Sequence, residues 1–223
     1  MFMEMIYMPK AVIFDMDGVL VDSEPMHAHA NVLALREFGL DMPYEYYLSF
    51  AGTTKYDMMS IIIKEYSLCT TPEILVKAAD RQNDIIIAKN GYTEISGACE
   101  AVNSLHNAGI RLAVASSSPY RDIKSVLNYF HIADCFQVIL SSSDENINPK
   151  PASDIYKKAL TLLDAKAEDA AAIEDTTVGI QAACGAGIRC IGYCNPNSGT
   201  QDYSGACLCI DSFSGLEDII LHM

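Results

Sequence analysis

The chain has 223 residues, half of them hydrophobic, and carries a formal net charge of −14 at neutral pH. This hydrophobic content can form a sizeable core and argues against disorder, and the length suits one large domain or a domain with an insert. The acidic charge argues against nucleic acid and against an anionic membrane surface as partners.

The cysteines and the N-terminus exclude further classes of protein. Most of the eight cysteines lie in apolar runs and no Cys-x-x-Cys pair occurs, so buried thiols in a reducing cytosol are favoured over disulfides or a zinc site. Residues 1–10 contain Glu4 and lack the basic region of a signal peptide, and no apolar run reaches the roughly 18 residues of a membrane span. We therefore expect a cytoplasmic protein.

Two aspartates directly follow the first apolar run of the chain. A buried strand over residues 11–14 would deliver Asp15 and Asp17 at its carboxyl end, and Gly18 permits a tight turn after them. Carboxylates this close repel each other, which favours a shared proton or a cation between them. A carboxylate can also act as a nucleophile and form an aspartyl phosphate. The alternative for this short pattern alone is an aspartate-rich turn that caps a helix.

The next seventy residues have helical patterns and no intervening strand pattern. Capping residues predict one helix between Ser23 and Gly39, a second after Thr54, and a third that opens within residues 70–73 and runs to Asn90. We therefore predict an all-helical insert over residues 23–91.

From about Gly97 onwards, short apolar runs alternate with helical patterns. The apolar runs are Ile110–Ala115, Phe136–Leu140, Ala170–Ile173, Arg189–Tyr193 and Cys207–Ile210, and the helices lie at about 153–163 and 177–184. This alternation predicts right-handed crossovers and an α/β fold with a doubly wound parallel sheet, built from residues 1–22 and 92–223. In such sheets the ligand binds beyond the carboxyl ends of the strands.

Polar residues follow several of these predicted strands. Ser116 comes after the second strand, Lys150 follows the third at a short distance, and Glu174 and Asp175 come after the fourth. Each has an ordinary alternative: the serine could cap a helix, the lysine could be a solvated loop residue, and the acidic pair could begin a helix. Chance is much less able to explain why all these residues, together with the two aspartates, follow successive predicted strands in this order.

In that order, the residues strongly resemble the haloacid dehalogenase-like superfamily. More narrowly, they are similar to its sugar-phosphate phosphatases and beta-phosphoglucomutases, which carry a helical cap inserted after the first motif. The matching segments are FDMDGVLVDSE at 14–24, VASS at 114–117, PKPASDIY at 149–156 and IEDTTVGI at 173–180. The resemblance covers essentially the whole chain. Dehalogenases of the superfamily lack the second aspartate of the first motif, so Asp17 favours phosphoryl transfer.

The resemblance implies roles for the residues that contact the transferring phosphate. Asp15 attacks phosphorus and becomes an aspartyl phosphate, while Asp17 protonates the leaving oxygen and then takes a proton from the incoming nucleophile. Ser116 and the amide of Ser117 hydrogen-bond the phosphate, and Lys150 supplies positive charge.

The resemblance also implies a magnesium ion. Its ligands would be the Asp15 carboxylate, the Asp17 backbone carbonyl and Asp175, with Glu174 nearby. The ion would offset the repulsion between an anionic nucleophile and an anionic phosphate.

Residues of the helical cap bear on the choice between phosphatase and mutase. The mutases of the family grip a second phosphate with an arginine after a Gly-Val-Ser segment, a lysine in the last cap helix and a histidine in the first. Here His27 matches the histidine, Lys55 replaces the arginine in the segment that contains Gly52, and Gln82 stands at the lysine position beside Arg81. We expect His27, Gly52, Lys55 and Arg81 to bind substrate, with a partly buried structural histidine as the alternative for His27.

The sequence thus predicts a Mg²⁺-dependent phosphatase of small phosphorylated metabolites, with sugar phosphates as the first choice. A beta-phosphoglucomutase is the alternative, because Lys55 replaces the mutase arginine and Arg81 lies beside the altered lysine position, so cations that could bind a second phosphate are still present. A catalytically silent metal-binding protein would be a third class, but the intact set of Asp15, Asp17, Lys150 and Asp175 does not favour it. The expected partner is a small metabolite, and a monomer is compatible with the sequence.

Overall fold

The chain forms two compact units. The computed structural model describes residues 9–43, 46–47, 50, 54–143 and 147–222. One unit combines Met1–Asp22 with Thr93–Met223, and the other is Ser23–Tyr92. We call them the core unit and the helical unit.

The core unit contains a parallel sheet of six strands. In chain order they are β1 (Ala11–Phe14), β2 (Arg111–Ser116), β3 (Val138–Ser141), β4 (Ala170–Glu174), β5 (Arg189–Tyr193) and β6 (Leu208–Ile210). They lie in the spatial order β3-β2-β1-β4-β5-β6, and all five neighbouring pairs are parallel. The predicted doubly wound α/β fold is therefore confirmed. The strand order reverses between β1 and β4, so their carboxyl ends border the crevice in which ligands bind in this class of fold.

Eight α-helices of the described residues accompany these strands. They are α1 (Glu24–Glu37), α2 (Lys55–Tyr66), α3 (Pro72–Asn90), α4 (Ala98–Asn107), α5 (Tyr120–Tyr129), α6 (Asp154–Leu162), α7 (Thr177–Gly185) and α8 (Leu216–Leu221). Short 3-10 helices cover Ala133–Cys135 and Ala167–Asp169. The first three α-helices form the helical unit, and the others belong to the core unit. Among the described residues, no helix is long and apolar enough to cross a membrane.

The interior of the core unit lies between the sheet and the helices. Strands β1 and β4 are buried along their whole length, as expected for a parallel sheet covered on both faces. Residues of β1, β2 and β4 share one hydrophobic cluster with Tyr156 of α6 and Ile180 of α7. This packing fixes the carboxyl ends of the central strands relative to one another.

Two sequence expectations need correction at the edges of the sheet. Strand β3 begins at Val138 and not at Phe136, because Phe136 caps the preceding 3-10 helix and its N–H donates to the Ala133 carbonyl. Cys207 and Cys209 are exposed, because they lie at the edge strand β6, whereas Cys190 in β5 is buried. All eight cysteines are free thiols.

The helical unit has its own small core. Leu35 of α1, Met59 and Ile62 of α2, and Leu75 of α3 are fully buried in one cluster. Helix α2 begins as predicted, since the Thr54 side chain accepts a hydrogen bond from the N–H three residues later. Helix α1 begins after Ser23, but the serine side chain makes no capping bond because its backbone is already in a helical conformation.

Candidate active site

The two motif aspartates lie where β1 ends. Asp15 is the first residue after the strand, it is only 7 % exposed, and its N–H donates to the carbonyl of Ile173 on β4 at 3.0 Å. The chain then turns tightly, with the Leu20 N–H donating to the Met16 carbonyl at 2.8 Å. The buried strand and the turn together hold the nucleophile candidate at the crevice between β1 and β4.

Glycine is required at position 18 for two physical reasons. Its φ is +78°, a left-handed conformation that residues with a Cβ rarely adopt. A Cβ at Gly18 would also overlap the carboxylate of Asp175. The absence of a side chain therefore lets the turn after β1 pack directly against the acidic residue that follows β4.

Lys150 is a buried residue that joins two of the predicted carboxylates. Its Nζ donates to Asp15 Oδ1 and to Glu174 Oε1, both at 2.6 Å, and its side chain is only 6 % exposed. Burial alone would lower the pKa of Lys150, but attraction to the two carboxylates raises it above its ordinary value. The alternative of a solvated loop lysine is therefore wrong, and the ammonium is held in its charged form.

Three buried carboxylates meet at this point of the core unit. Each of Asp15, Glu174 and Asp175 offers an oxygen within 4.8 Å of the others, and Asp175 Oδ1 is buried without a hydrogen-bond partner. Burial raises the pKa of Asp15 well above its usual range, an effect that Lys150 opposes, and burial raises the pKa of Asp175 to about 7. One ammonium cannot neutralise three carboxylates, so the group is suited to a hard cation that prefers oxygen ligands. The residues present therefore fit Mg²⁺.

Asp17 lies in a separate hydrogen-bond network with Ser116 and Ser118, two serines of the run that follows β2. The Ser118 hydroxyl donates to Asp17 Oδ2 at 2.5 Å, and the Ser116 hydroxyl lies 3.5 Å from the same oxygen. The Ser118 N–H in turn donates to Ser116 Oγ at 3.0 Å. Ser117 is exposed, and its carbonyl accepts a hydrogen bond from the Ser143 hydroxyl. The structure thus brings Ser116 to Asp17, and the contact of the Ser117 amide with phosphate stays a prediction.

The predicted substrate contacts of the helical unit have carboxylate partners inside that unit. Lys55 Nζ lies 2.8 Å from Asp80 Oδ1, and Arg81 pairs with Glu37. Gln82 Nε2 also donates to Glu37, at 2.6 Å. These contacts would have to open for Lys55 or Arg81 to bind a phosphate, and the role of both residues in substrate binding stays a prediction.

The other two predicted substrate contacts are also untested. His27 is partly buried in the first turn of α1, where its N–H donates to the Ser23 carbonyl. Gly52 lies outside the described residues.

Three residues that contact the predicted site residues were not predicted from the sequence. Tyr156 donates its hydroxyl to Glu174 Oε1 at 2.5 Å, Ser198 donates to Asp175 Oδ2, and Ser118 donates to Asp17. Tyr156 belongs to the third motif and Ser118 to the serine run after β2, so both could have been considered from their positions. Ser198 had no recognisable signal, because it lies in an irregular segment 23 residues beyond its partner.

The family of this fold and site is shown by comparison with known proteins. Residues 12–193 match the haloacid dehalogenase-like hydrolases. The chain therefore belongs to this family, which confirms the resemblance and the predicted hydrolase class.

Relatives that align over most of the chain include a phosphatase and a mutase. The phosphorylated carbohydrates phosphatase of Thermotoga maritima is 28 % identical, with 81 % of this chain and 82 % of the relative covered. The beta-phosphoglucomutase of Bacillus subtilis is also 28 % identical, with 96 % and 94 % covered. Among solved structures, a mutant of CbbY from Rhodobacter sphaeroides in complex with xylulose-1,5-bisphosphate is 27 % identical, with 94 % and 96 % covered and a TM-score of 0.80.

Proposed function

We propose that this chain is a Mg²⁺-dependent phosphatase of small phosphorylated metabolites, sugar phosphates in the first place, that works through an aspartyl phosphate on Asp15. The observation that carries the proposal is the buried contact of Lys150 with Asp15 and Glu174, beside the unpartnered oxygen of Asp175. A structural aspartate at a strand end needs no such neighbours. A carboxylate that attacks a phosphate dianion needs compensating positive charge close by.

In the first step, a carboxylate oxygen of Asp15 attacks phosphorus and the bond to the leaving oxygen breaks. Lys150 holds Asp15 Oδ1 at 2.6 Å, which orients the carboxylate and places positive charge next to the transferring group. Asp17, held by Ser118, gives its proton to the leaving oxygen. Ser116, the last residue of β2, would donate a hydrogen bond to the phosphate oxygens.

In the second step, water attacks phosphorus and the bond to Asp15 breaks. Asp17, which lost its proton in the first step, takes one from the attacking water. Inorganic phosphate then leaves and both aspartates return to their starting states.

The metal would be held by the side chains of the carboxylate cluster. Asp15, Asp175 and Glu174 supply the side-chain oxygens, and the family resemblance adds the backbone carbonyl of Asp17. When bound, Mg²⁺ reduces the repulsion between the nucleophile and the phosphate and stabilises charge in the transition state.

Phosphatase activity is favoured over mutase activity because of the contacts in the helical unit. A mutase must grip a second phosphate with cations, but Lys55 and Arg81 already pair with Asp80 and Glu37, and Gln82 is uncharged. A second phosphate would have to compete with these carboxylates. The phosphatase of Thermotoga maritima is named for phosphorylated carbohydrates, which supports the same substrate class here.

A beta-phosphoglucomutase is the second candidate. The Bacillus subtilis mutase aligns over almost the whole chain, and His27 occupies the position of the mutase histidine. The two candidates share the aspartyl phosphate and differ in whether water or a second sugar phosphate accepts the phosphoryl group.

A screen of phosphorylated metabolites, with both inorganic phosphate and isomerised product recorded, tests the proposal. Incubation with a hexose 1-phosphate and Mg²⁺ should release inorganic phosphate without accumulation of the 6-phosphate. Efficient isomerisation that depends on a bisphosphate activator and releases little phosphate would establish the mutase instead. Failure to act on any phosphoric monoester would refute both candidates.

A further inference from the structure

The hydroxyl of Ser118 is placed to orient the acid–base candidate Asp17. It donates to Asp17 Oδ2 at 2.5 Å, whereas the hydroxyl of Ser116 reaches the same oxygen only at 3.5 Å. A hydroxyl at this distance donates to Asp17 Oδ2 whether the carboxyl group is ionised or carries its proton on the other oxygen. Of these two serines, Ser118 thus makes the closer contact with Asp17.

Ser118 is itself held on two sides by groups at the strand ends. Its carbonyl accepts a hydrogen bond of 2.7 Å from the hydroxyl of Ser141, the last residue of β3. Its N–H donates to Ser116 Oγ at 3.0 Å, and Ser116 is the last residue of β2. The Ser142 N–H also donates to the Ser116 carbonyl at 3.0 Å, which ties the two strand ends together. The hydroxyl of Ser118 is therefore presented from a rigid support.

We infer that Ser118 is a positioning residue that fixes the carboxyl group of Asp17 for proton transfer to the leaving oxygen. The inference rests on the proposed function, because it assumes that Asp17 is the acid of a phosphoryl transfer. An acid delivers its proton only from a narrow range of distances and directions, so a carboxyl group that rotates freely transfers the proton less often. Ser118 would thus act through Asp17.

The dependence on the leaving group separates this role from a structural one. The sugar alkoxide that leaves from glucose 6-phosphate needs a proton, whereas the phenolate that leaves from 4-nitrophenyl phosphate is stable without one. Loss of an orienting contact to the acid should therefore slow the first substrate selectively. Loss of a phosphate contact, or a general loosening of the site, should slow both substrates equally.

The experiment measures kcat/KM of both probes with saturating Mg²⁺ for the wild type, Ser118→Ala, Ser118→Thr and the control Ser212→Ala. The ratio kcat/KM reports the steps up to departure of the leaving group, so hydrolysis of the intermediate does not affect it. Ser118→Ala should lose about tenfold on glucose 6-phosphate and less than about threefold on 4-nitrophenyl phosphate. Ser118→Thr keeps the hydroxyl and should retain the wild-type ratio between the two substrates. Ser212 is an exposed serine whose hydroxyl oxygen accepts from the Ser214 N–H, and its replacement should change neither value.

Several results would overturn the inference. An equal loss on both probes in Ser118→Ala, or no loss on either, would show that Ser118 does not act through the acid. The same selective loss in Ser118→Thr would show that the hydroxyl is not the responsible group. A wild type that hydrolyses no phosphoric monoester would refute the proposed function and this inference with it, whereas an active wild type with an unchanged ratio in the variants would refute the inference alone.

Discussion

The carboxylate of Glu174 lies so close to Gly179 that a Cβ at the glycine would overlap it. Glu174 is the last residue of β4, it is fully buried, and its Oε1 accepts hydrogen bonds from Lys150 and Tyr156. Gly179 lies in the first turn of α7. Because Gly179 has no side chain, helix α7 leaves room for the Glu174 carboxylate. This carboxylate helps to hold Lys150 against Asp15, the nucleophile candidate.

Gly179→Ala should displace Glu174 and so impair activity. Lys150 and Tyr156 hold the carboxylate by hydrogen bonds, so the new methyl group forces a shift of the side chain or of the helix. We expect loss of at least about tenfold in kcat and about 1–3 kcal/mol in the free energy of unfolding. Phosphatase assays and urea denaturation measure the two effects.

Gly185→Ala in the same helix is the matched control. The nearest atom to a Cβ at Gly185 is Ser153 Cβ at 3.4 Å, which is an ordinary contact distance. Activity should be unchanged, and stability should change by no more than about 1 kcal/mol because alanine has the higher helix propensity. Equal behaviour of the two variants would mean that the space beside Glu174 has no function.

Lys150→Met should abolish activity and destabilise the protein. The substitution leaves Asp15 and Glu174 buried without their shared cation, and removal of one partner from a buried ion pair costs about 3–5 kcal/mol. Urea denaturation in Mg²⁺-free buffer measures this loss. Addition of Glu174→Gln removes one buried charge and should recover part of the stability but none of the activity.

Lys166→Met is the control for the lysine substitution. Its ammonium pairs with Glu168 at 3.5 Å, but both side chains are about three-quarters exposed. A surface pair of this kind contributes at most about 1 kcal/mol, so stability and activity should remain close to those of the wild type. A fully active Lys150→Met protein would contradict the role assigned to Lys150.

Ser198→Ala should weaken the binding of Mg²⁺. The Ser198 hydroxyl donates to Asp175 Oδ2, and Oδ1 of the same carboxylate is buried without a partner. Groups that orient a metal ligand typically contribute about 10–100-fold to metal affinity. Isothermal titration calorimetry measures the affinity directly, without reference to turnover.

Ser204→Ala serves as the control for the metal measurement, because Ser204 is exposed and its hydrogen bonds go to Asp202, which is not a member of the carboxylate cluster. It should bind Mg²⁺ like the wild type. In parallel, a chelator should abolish turnover of the wild type and added Mg²⁺ should restore it. Full activity in the chelator, or equal affinities in the two serine variants, would contradict the proposed arrangement.

The sequence was informative about the strands and about the order of the motifs, since both depend on local patterns. Apolar runs followed by polar residues located Asp15 at the end of a strand and Lys150 in the segment after one, and the alternation of strands with helices predicted the parallel sheet. The contact between these two residues spans 135 positions and follows from the strand order, which local patterns do not determine. Ser118, Tyr156 and Ser198 were missed because their roles depend on which side chain they meet across the folded core unit.

Asp17→Asn should separate the two proton transfers of the proposed mechanism. The amide can neither protonate a leaving oxygen nor accept a proton from water. Alkyl phosphates should therefore react very slowly, whereas 4-nitrophenyl phosphate should still transfer its phosphoryl group to Asp15. Rapid-mixing measurements should show a burst of nitrophenol close to one per active site, followed by slow turnover.

The comparison of alkyl and aryl phosphates requires an Asp17→Asn protein that is folded and binds Mg²⁺. Calorimetry measures its Mg²⁺ binding. An equal loss on alkyl and aryl phosphates without a burst would remove Asp17 from proton transfer. It would then remain only as a contributor to the metal site.

Formation of an aspartyl phosphate on Asp15 is the central claim, and chemical trapping tests it most directly. The reaction of Asp17→Asn with 4-nitrophenyl phosphate is quenched in acid within the burst, and the peptides are mapped by mass spectrometry. The account predicts one phosphoryl group on the peptide that contains Asp15, its removal by hydroxylamine because it is an acyl phosphate, and its absence from an Asp15→Asn variant. A hydroxylamine-stable phosphate on a serine such as Ser116, or wild-type turnover by Asp15→Asn, would contradict the account.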